Sequence, residues 1–299
     1  LLCFCVCASP IQAQLAFGGG GTPHSAQGGE SLFPPSCGAG SNLVPGLSNP
    51  LNLYVGWLDH AKGNTWTLQR QQSSGTASWP VRGWWLGAST DFALSYPIGV
   101  LVAGYVFFPQ RSAGTWYEDP PSRSFDFEVP SYDWWTVEGF LTGSLCGNLE
   151  ILAGFRWNHT SIRINYSDFT DDDYILNTTT PLVGVQYRGQ SSAQRILVRV
   201  VGSPVIGGNL NYHFWDNLGF AEFGSFPVRS GSFLECMADY SVQVADRFGL
   251  GCFVKWNVLR VRTDEKDVSG SAVEPIYWSV DNRAWIVGAS ASLAFVSPF

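Results

Sequence analysis

The sequence predicts an all-β protein: an antiparallel transmembrane β-barrel of ten strands, with twelve as the alternative. Three observations carry that prediction. Charged residues make up 14% of the 299-residue chain and aromatic residues 15%, with 13 Trp; a typical soluble domain carries roughly 25% charged residues. No run approaches the about 18 consecutive apolar residues of a transmembrane helix. Apolar residues instead recur at every second position in ten separate segments, the spacing of strands with one apolar face.

Taken in order, the first residues, LLCFCVCASPIQAQ, read as the apolar core of a signal peptide over 1–14. They carry a small-residue cleavage site near Ala13 but lack the charged start of such a peptide. Residues 15–50 are rich in Gly, Pro and Ser without periodicity, a composition that buries too little to order itself. A disordered periplasmic leader is expected there, and the barrel itself over 51–299. Its alternating segments fall at about 51–60, 81–92, 98–108, 132–145, 149–163, 181–189, 193–202, 232–244, 248–262 and 284–296.

The connections between these segments alternate in length. Short ones lie at ALSYPI, CGN, the GQSS region and ADR; long ones at 61–80, 109–131, 164–180, 203–231 and 263–283. That rhythm predicts short periplasmic turns, long extracellular loops and both termini in the periplasm. The 203–231 stretch, with GNLNYHFW and FAEFGSFPV, has enough alternation for one more hairpin, which gives the twelve-strand alternative.

The faces of the segments are distinct. Trp135, Val137, Leu141 and Leu145 oppose Thr136, Glu138, Thr142 and Ser144; Leu250, Cys252, Val254, Trp256 and Val258 oppose Lys255 and Asn257. A closed barrel in lipid turns the apolar face outward and the charges to the lumen. The expected lumen network is Glu138, Glu150, Arg156, Arg188, Arg195, Arg199, Glu235, Asp239 and Lys255. In so narrow a barrel opposite charges should pair, because an isolated buried charge is costly. A charge-plugged lumen is the expectation and a narrow ion or small-solute channel the alternative.

The net charge of −7, with only 3 Lys against 14 Arg, argues against a nucleic-acid partner, which requires clustered basic residues. Four cysteines outside the signal segment, Cys37, Cys146, Cys236 and Cys252, are too scattered for a disulfide scaffold. Cys37 and Cys146 share the expected periplasmic end and could bridge.

Asp168, Asp171, Asp172 and Asp173 in one loop are a weak Ca²⁺ candidate. The spacing is not that of an EF-hand, and a solvated acidic loop is favoured. Arg82, Arg163, Arg229, Arg260 and Arg262 fall near the external ends of strands. Guanidinium groups there can bind lipopolysaccharide phosphates bidentately or simply reach out to the interface.

A signal peptide, alternating strands and a last strand, AWIVGASASLAFVSPF, closing on Phe299 together resemble bacterial outer-membrane β-barrels. The resemblance implies a Gram-negative outer membrane, with its lipid and lipopolysaccharide as partners. It also implies an assembly signal at Phe299, Phe295 and Leu293, read by the barrel-assembly machinery. In size the chain is similar to the ten-stranded omptin proteases, which use an Asp-x-Asp and an Asp-x-His pair to activate water. Here Asn211 stands where the Asp before His213 is expected, and Ser131 stands two residues before Asp133. Asn does not orient and charge-stabilise an imidazole as a carboxylate does. No catalytic residue, cofactor or His/Cys metal cluster is assigned. The expected function is a non-catalytic structural or surface-interaction barrel, with a channel and an omptin-like hydrolase as the second and third readings.

Overall fold

A strand needs only about 9–11 residues to cross the hydrocarbon of a bilayer, and most strands of this protein are far longer. The computed structural model describes residues 50–70, 73–95, 97–120, 122–166, 170–191, 193–215, 221–265 and 276–294. They form twelve strand segments: β1 (Pro50–Gln69), β2 (Ser74–Ser95), β3 (Ile98–Pro109), β4 (Ser112–Asp119), β5 (Arg123–Cys146), β6 (Leu149–Tyr166), β7 (Asp171–Gln190), β8 (Gln194–Ser203), β9 (Gly207–Trp215), β10 (Ala221–Ala245), β11 (Phe248–Thr263) and β12 (Tyr277–Ala294). The described residues contain no helix.

All the pairings are antiparallel, and the sheet closes on itself. β1 pairs with β2 on one side and with β12 on the other, the latter from Pro50↔Ala294 to Gln69↔Tyr277. β3 and β4 both lie between β2 and β5, and β8 and β9 both lie between β7 and β10. The ring therefore has ten positions, two of them filled by an interrupted strand. Both interruptions follow proline chemistry: Pro109 ends β3, and Pro204 follows Ser203 at the end of β8. Proline has no N–H to give to a ladder. At the second break the Ser203 hydroxyl takes over, accepting from the Val205 N–H at 3.1 Å. β9 then restarts through Gly208, at φ +136°, where a Cβ would lie 2.0 Å from the Asn177 carbonyl oxygen.

Along the lower part of every ring position the apolar face points outward. Leu53, Val55, Val102, Val106, Leu141, Phe155, Val183, Val198, Leu234, Val254 and Val287 are all exposed. The alternate positions turn inward and include Glu138, Arg156, Glu235 and Lys255. A belt of exposed aliphatic side chains over a polar interior is the arrangement that lipid demands. Outward tryptophan pairs top the belt: Trp57–Trp84, Trp135–Trp157 and Trp256–Trp285. Such aromatic residues sit at the headgroup level of membrane proteins.

Above these pairs the two faces exchange character. On β6 the outward series Ile151, Phe155, Trp157 continues as His159, Ser161, Arg163, while the inward series Arg156, Asn158, Thr160 continues as Ile162, Ile164. On β12 Val287 and Trp285 are followed outward by Arg283, Asp281 and Ser279, and inward by buried Val280 and Trp278. The connections expected to be long loops at 61–80, 109–131, 164–180 and 203–231 are accordingly mostly strand, as is 277–283. They are the outer halves of hairpins that stand in water and pack their own apolar core. At the opposite end the turns are tight. Gly147, at φ +51°, makes the turn between β5 and β6 in a conformation that L-side chains rarely adopt.

The lipid-facing belt predicts a position-dependent cost for charge. Leu141→Arg should destabilise the folded protein by about 2–4 kcal/mol in lipid vesicles, whereas Ser131→Arg, ten residues earlier on the same outward face, should be near neutral. Reversible denaturant unfolding of the two variants checks this.

Candidate functional site

The lumen is built in three layers. In the middle layer cross-strand register sets Glu138 beside Arg156 and Glu235 diagonally between Arg199 and Lys255 on its two neighbouring strands, and two further contacts, Arg156 to Glu235 and Arg199 to Glu138, reach across the lumen. Arg156 Nη1 lies 3.1 Å from Glu138 Oε1 and 3.0 Å from Glu235 Oε2. Arg199 Nη2 lies 2.9 Å from Glu235 Oε1 and 3.4 Å from Glu138 Oε2, and Lys255 Nζ lies 2.9 Å from Glu235 Oε2. None of the five side chains is more than 5% exposed. Rings fill the remaining space: Lys255 Nζ is 3.7 Å from the Tyr105 ring centroid, and the Arg156 guanidinium is 4.3 Å from that of Phe233. Tyr105 also accepts from Arg199 Nη2 at 3.0 Å.

The layer nearer the tight turns is less enclosed. Arg188 holds Asp91 in a bidentate pair, both bonds 2.7 Å, and lies 3.3 Å from Glu150. Arg195 donates to Asn52 Oδ1, and Asp239 accepts from Ser290. The nine charges expected in the lumen thus divide: five meet in one cluster, Arg188 and Glu150 share a second, and Arg195 and Asp239 each find a neutral partner. Asp91 escaped the sequence reading although it continues the inward series Trp85, Gly87, Ser89.

The outer layer is aromatic. Trp66, Trp79, Tyr174, Tyr212 and Trp278 pack edge-on or tilted, with Tyr174 and Tyr212 stacked at 5.3 Å. Buried Asp172 caps this stack, accepting from the Tyr174 hydroxyl at 2.6 Å and from that of Tyr166 at 3.0 Å. Burial, and then the Asp172 charge, hold both phenols well above the usual tyrosine range.

The remaining expected sites are placed as follows. Asp171 and Asp173 face outward, opposite to Asp172, and Asp171 pairs with Arg163 at 3.1 Å. These three carboxylates do not converge, and among the described residues no group of three His, Cys, Asp or Glu could hold a metal ion. Asp168 lies outside the described residues, as do Cys37, Phe295, Phe299 and the whole of 1–49. Leu293, next to last in β12, pairs with Leu51 on one side and Phe248 on the other.

The arginines split. Arg82 is paired with Asp59 and Arg163 with Asp171. Arg229, Arg260 and Arg262 gather on the outward face of β10 and β11, just beyond the Trp256–Trp285 pair. Asp281 is shared by Arg260 and by Arg283, a residue the sequence reading passed over. Arg262 lies over the Tyr277 ring at 4.3 Å; neither it nor Arg229 has a carboxylate partner among the described residues.

His213 and Asp133 both point outward, on strands separated in the ring by β6 and β7. His213 stands beside Asp173 in the β7–β9 register and packs edge-on against Phe223.

No protein-family model matches the chain, and no curated protein matches it by sequence. Solved structures do match. The outer membrane protease OmpT of Escherichia coli is 13% identical, with a TM-score of 0.62 over 87% of this chain and 100% of that one. The outer membrane protein OprG of Pseudomonas aeruginosa is 8% identical, with a TM-score of 0.40 over 84% and 98%. The transport unit of the Escherichia coli autotransporter AIDA-I is 11% identical, with a TM-score of 0.39 over 87% and 94%. The chain has the fold of a bacterial outer-membrane β-barrel, and its lipid-facing belt suits that membrane.

Two measurements probe the lumen. Glu235→Gln leaves three buried cations without their common partner and should cost about 3–5 kcal/mol. Asp59→Asn, at the exposed Arg82 pair, should cost no more than about 1 kcal/mol; unfolding in detergent micelles compares them. The second concerns pH. Because Tyr166 and Tyr174 keep their protons longer in the folded state than in the unfolded chain, stability should hold up to about pH 10, the ordinary phenol value, and fall above it. Tyr174→Phe should flatten that alkaline decline in a pH series of melting curves.

Proposed function

We propose that this protein is a sealed, non-catalytic outer-membrane barrel that acts through its outer surface. The observation that carries this reading is the filling of the lumen at two heights, by the Glu138–Arg156–Arg199–Glu235–Lys255 cluster and by the Trp66–Trp79–Tyr174–Tyr212–Trp278 stack. A solute passing through would have to break five ion pairs and part a closed set of rings.

On the outside, Arg229, Arg260, Arg262 and Arg283 lie just beyond the Trp256–Trp285 pair, and tryptophans of that kind favour the headgroup level. Guanidinium groups bind phosphate through paired N–H donors, and here one carboxylate, Asp281, is bonded to two of the four. We therefore assign this face to lipopolysaccharide phosphates. The likeness to an outer-membrane protease motivates a control for catalysis, although His213 faces away from the lumen and is preceded two residues earlier by Asn211 in place of an acid.

Reconstituted into planar bilayers, the protein should give no steady unitary current, and it should leave a mixed peptide library intact. Steady currents, or cleavage lost in His213→Ala, would replace this reading with a channel or a hydrolase. Melting temperature should rise on adding lipopolysaccharide to detergent-solubilised protein, and Arg229→Ala with Arg262→Ala should remove most of that rise.

A further inference from the structure

The outward charges of the extracellular halves are sorted by sign around the ring. Among the described side chains of β10, β11 and β12 they are Arg229, Arg260, Arg262 and Arg283 against Asp281, with Asp264 and Glu265 standing past the end of β11. On β5, β6 and β7 they are Asp126, Glu128, Asp133, Asp171 and Asp173 against Arg163. Arg123, at the end of the β4–β5 hairpin, is taken by Glu118 at 2.6 Å. Four arginines against one aspartate leave three positive charges in excess on the first face, and five carboxylates against one arginine leave four negative charges on the second. Glu128 and Asp133 are exposed and, like Arg229 and Arg262, make no ion pair among the described residues.

The two faces rise from one height. Arg283 is the next outward residue beyond Trp285, and Asp133 the next beyond Trp135; both tryptophans belong to the outward pairs that top the belt. The faces look in different directions, because β6 and β11 are four ring positions apart one way round and six the other. A membrane holds every copy upright at the same depth. The arginine face of one copy can therefore meet the carboxylate face of another by sideways movement alone. That confinement removes much of the orientational freedom that association otherwise costs. One exposed ion pair contributes little, but several set face to face act together.

We propose that these faces are the two sides of one interface, and that the partner of the arginine face is a second copy of this chain. A two-fold pair would have to bring both faces of each copy to the same contact, which their placement forbids. The contact is head-to-tail and leaves each copy a free face for the next, so copies add into rows instead of stopping at dimers. This goes beyond the assignment to lipopolysaccharide: headgroup phosphates and a neighbour's carboxylates compete for the same guanidinium groups.

The test is energy transfer between donor- and acceptor-labelled copies of the unaltered protein in vesicles of phosphatidylcholine, which offer no lipopolysaccharide. At about 0.01 M salt the transfer should exceed that of randomly scattered copies at the same density. At about 1 M salt, which screens charges beyond about 3 Å, it should fall to that random level. Two folded variants sharpen the result: Asp126→Lys with Glu128→Lys and Asp133→Lys leaves both faces basic, and Arg229→Glu with Arg262→Glu leaves both acidic. Each variant alone should show only random transfer, and a mixture of the two should transfer again. Random transfer for the unaltered protein at about 0.01 M salt, or transfer that persists in either variant alone, would overturn the proposal. The salt series needs no variant, so it decides even where a reversed face hinders folding.

Discussion

Eight of the ten ring positions pass from lipid into water as one unbroken strand, and that passage governs the rest of the structure. In lipid the outward face must be apolar, so polar and charged residues can go only inward. In water the outward face must be polar, and the apolar residues move to the inside. The exchange occurs beside the tryptophan pairs, with His159, Ser161 and Arg163 taking over from Phe155 and Trp157 on β6. Because side chains alternate with period two, the exchange needs no change in backbone, only a change in which alternate positions are apolar.

Two different interiors follow from this. Within the belt, charges confined to a lumen out of reach of water are tolerable only when paired. Some of the pairs span the lumen: Arg156 on β6 reaches Glu235 on β10, and Arg188 on β7 reaches Asp91 on β2. They fasten opposite walls as well as neighbouring strands. Above the belt an ordinary hydrophobic core forms from large rings, and the polar group buried with them, Asp172, is held by two phenols. The sealing of the lumen is thus a by-product of how each half satisfies its surroundings.

Much of this was legible in the sequence. The two faces of the belt segments, such as Val137–Leu141–Leu145 against Glu138, followed from period-two alternation, the short turns from the lengths of the connections, and the choice of the charged face as the inner one from closed strands, tight turns and aromatic content together. The ten ring positions were legible too, with the 203–231 stretch entering as the continuation of one strand and the beginning of the next. The outer halves were missed because the apolar series changes side partway along each strand. Read as one pattern, Trp66, Leu68, Ala77 and Trp79 fall out of phase with the belt segments and resemble irregular loop. Asp91 lay on the same face as Ser89 and was accessible to the same count by twos. The different fates of the arginines were not accessible, since Asp59 pairs with Arg82, and Asp281 with Arg260, only through strand register.

The sequence by itself determined that the chain forms antiparallel strands with one apolar and one polar face, because periodicity is a local property of the chain. It also determined which charges turn away from lipid. Only the tertiary structure decided which of those charges meet, since pairs such as Arg199 with Glu138 span the lumen and depend on closure between β1 and β12. It alone decided that Asn64 stands opposite Asn282, for residues about two hundred positions apart in the chain become neighbours only when the ring shuts.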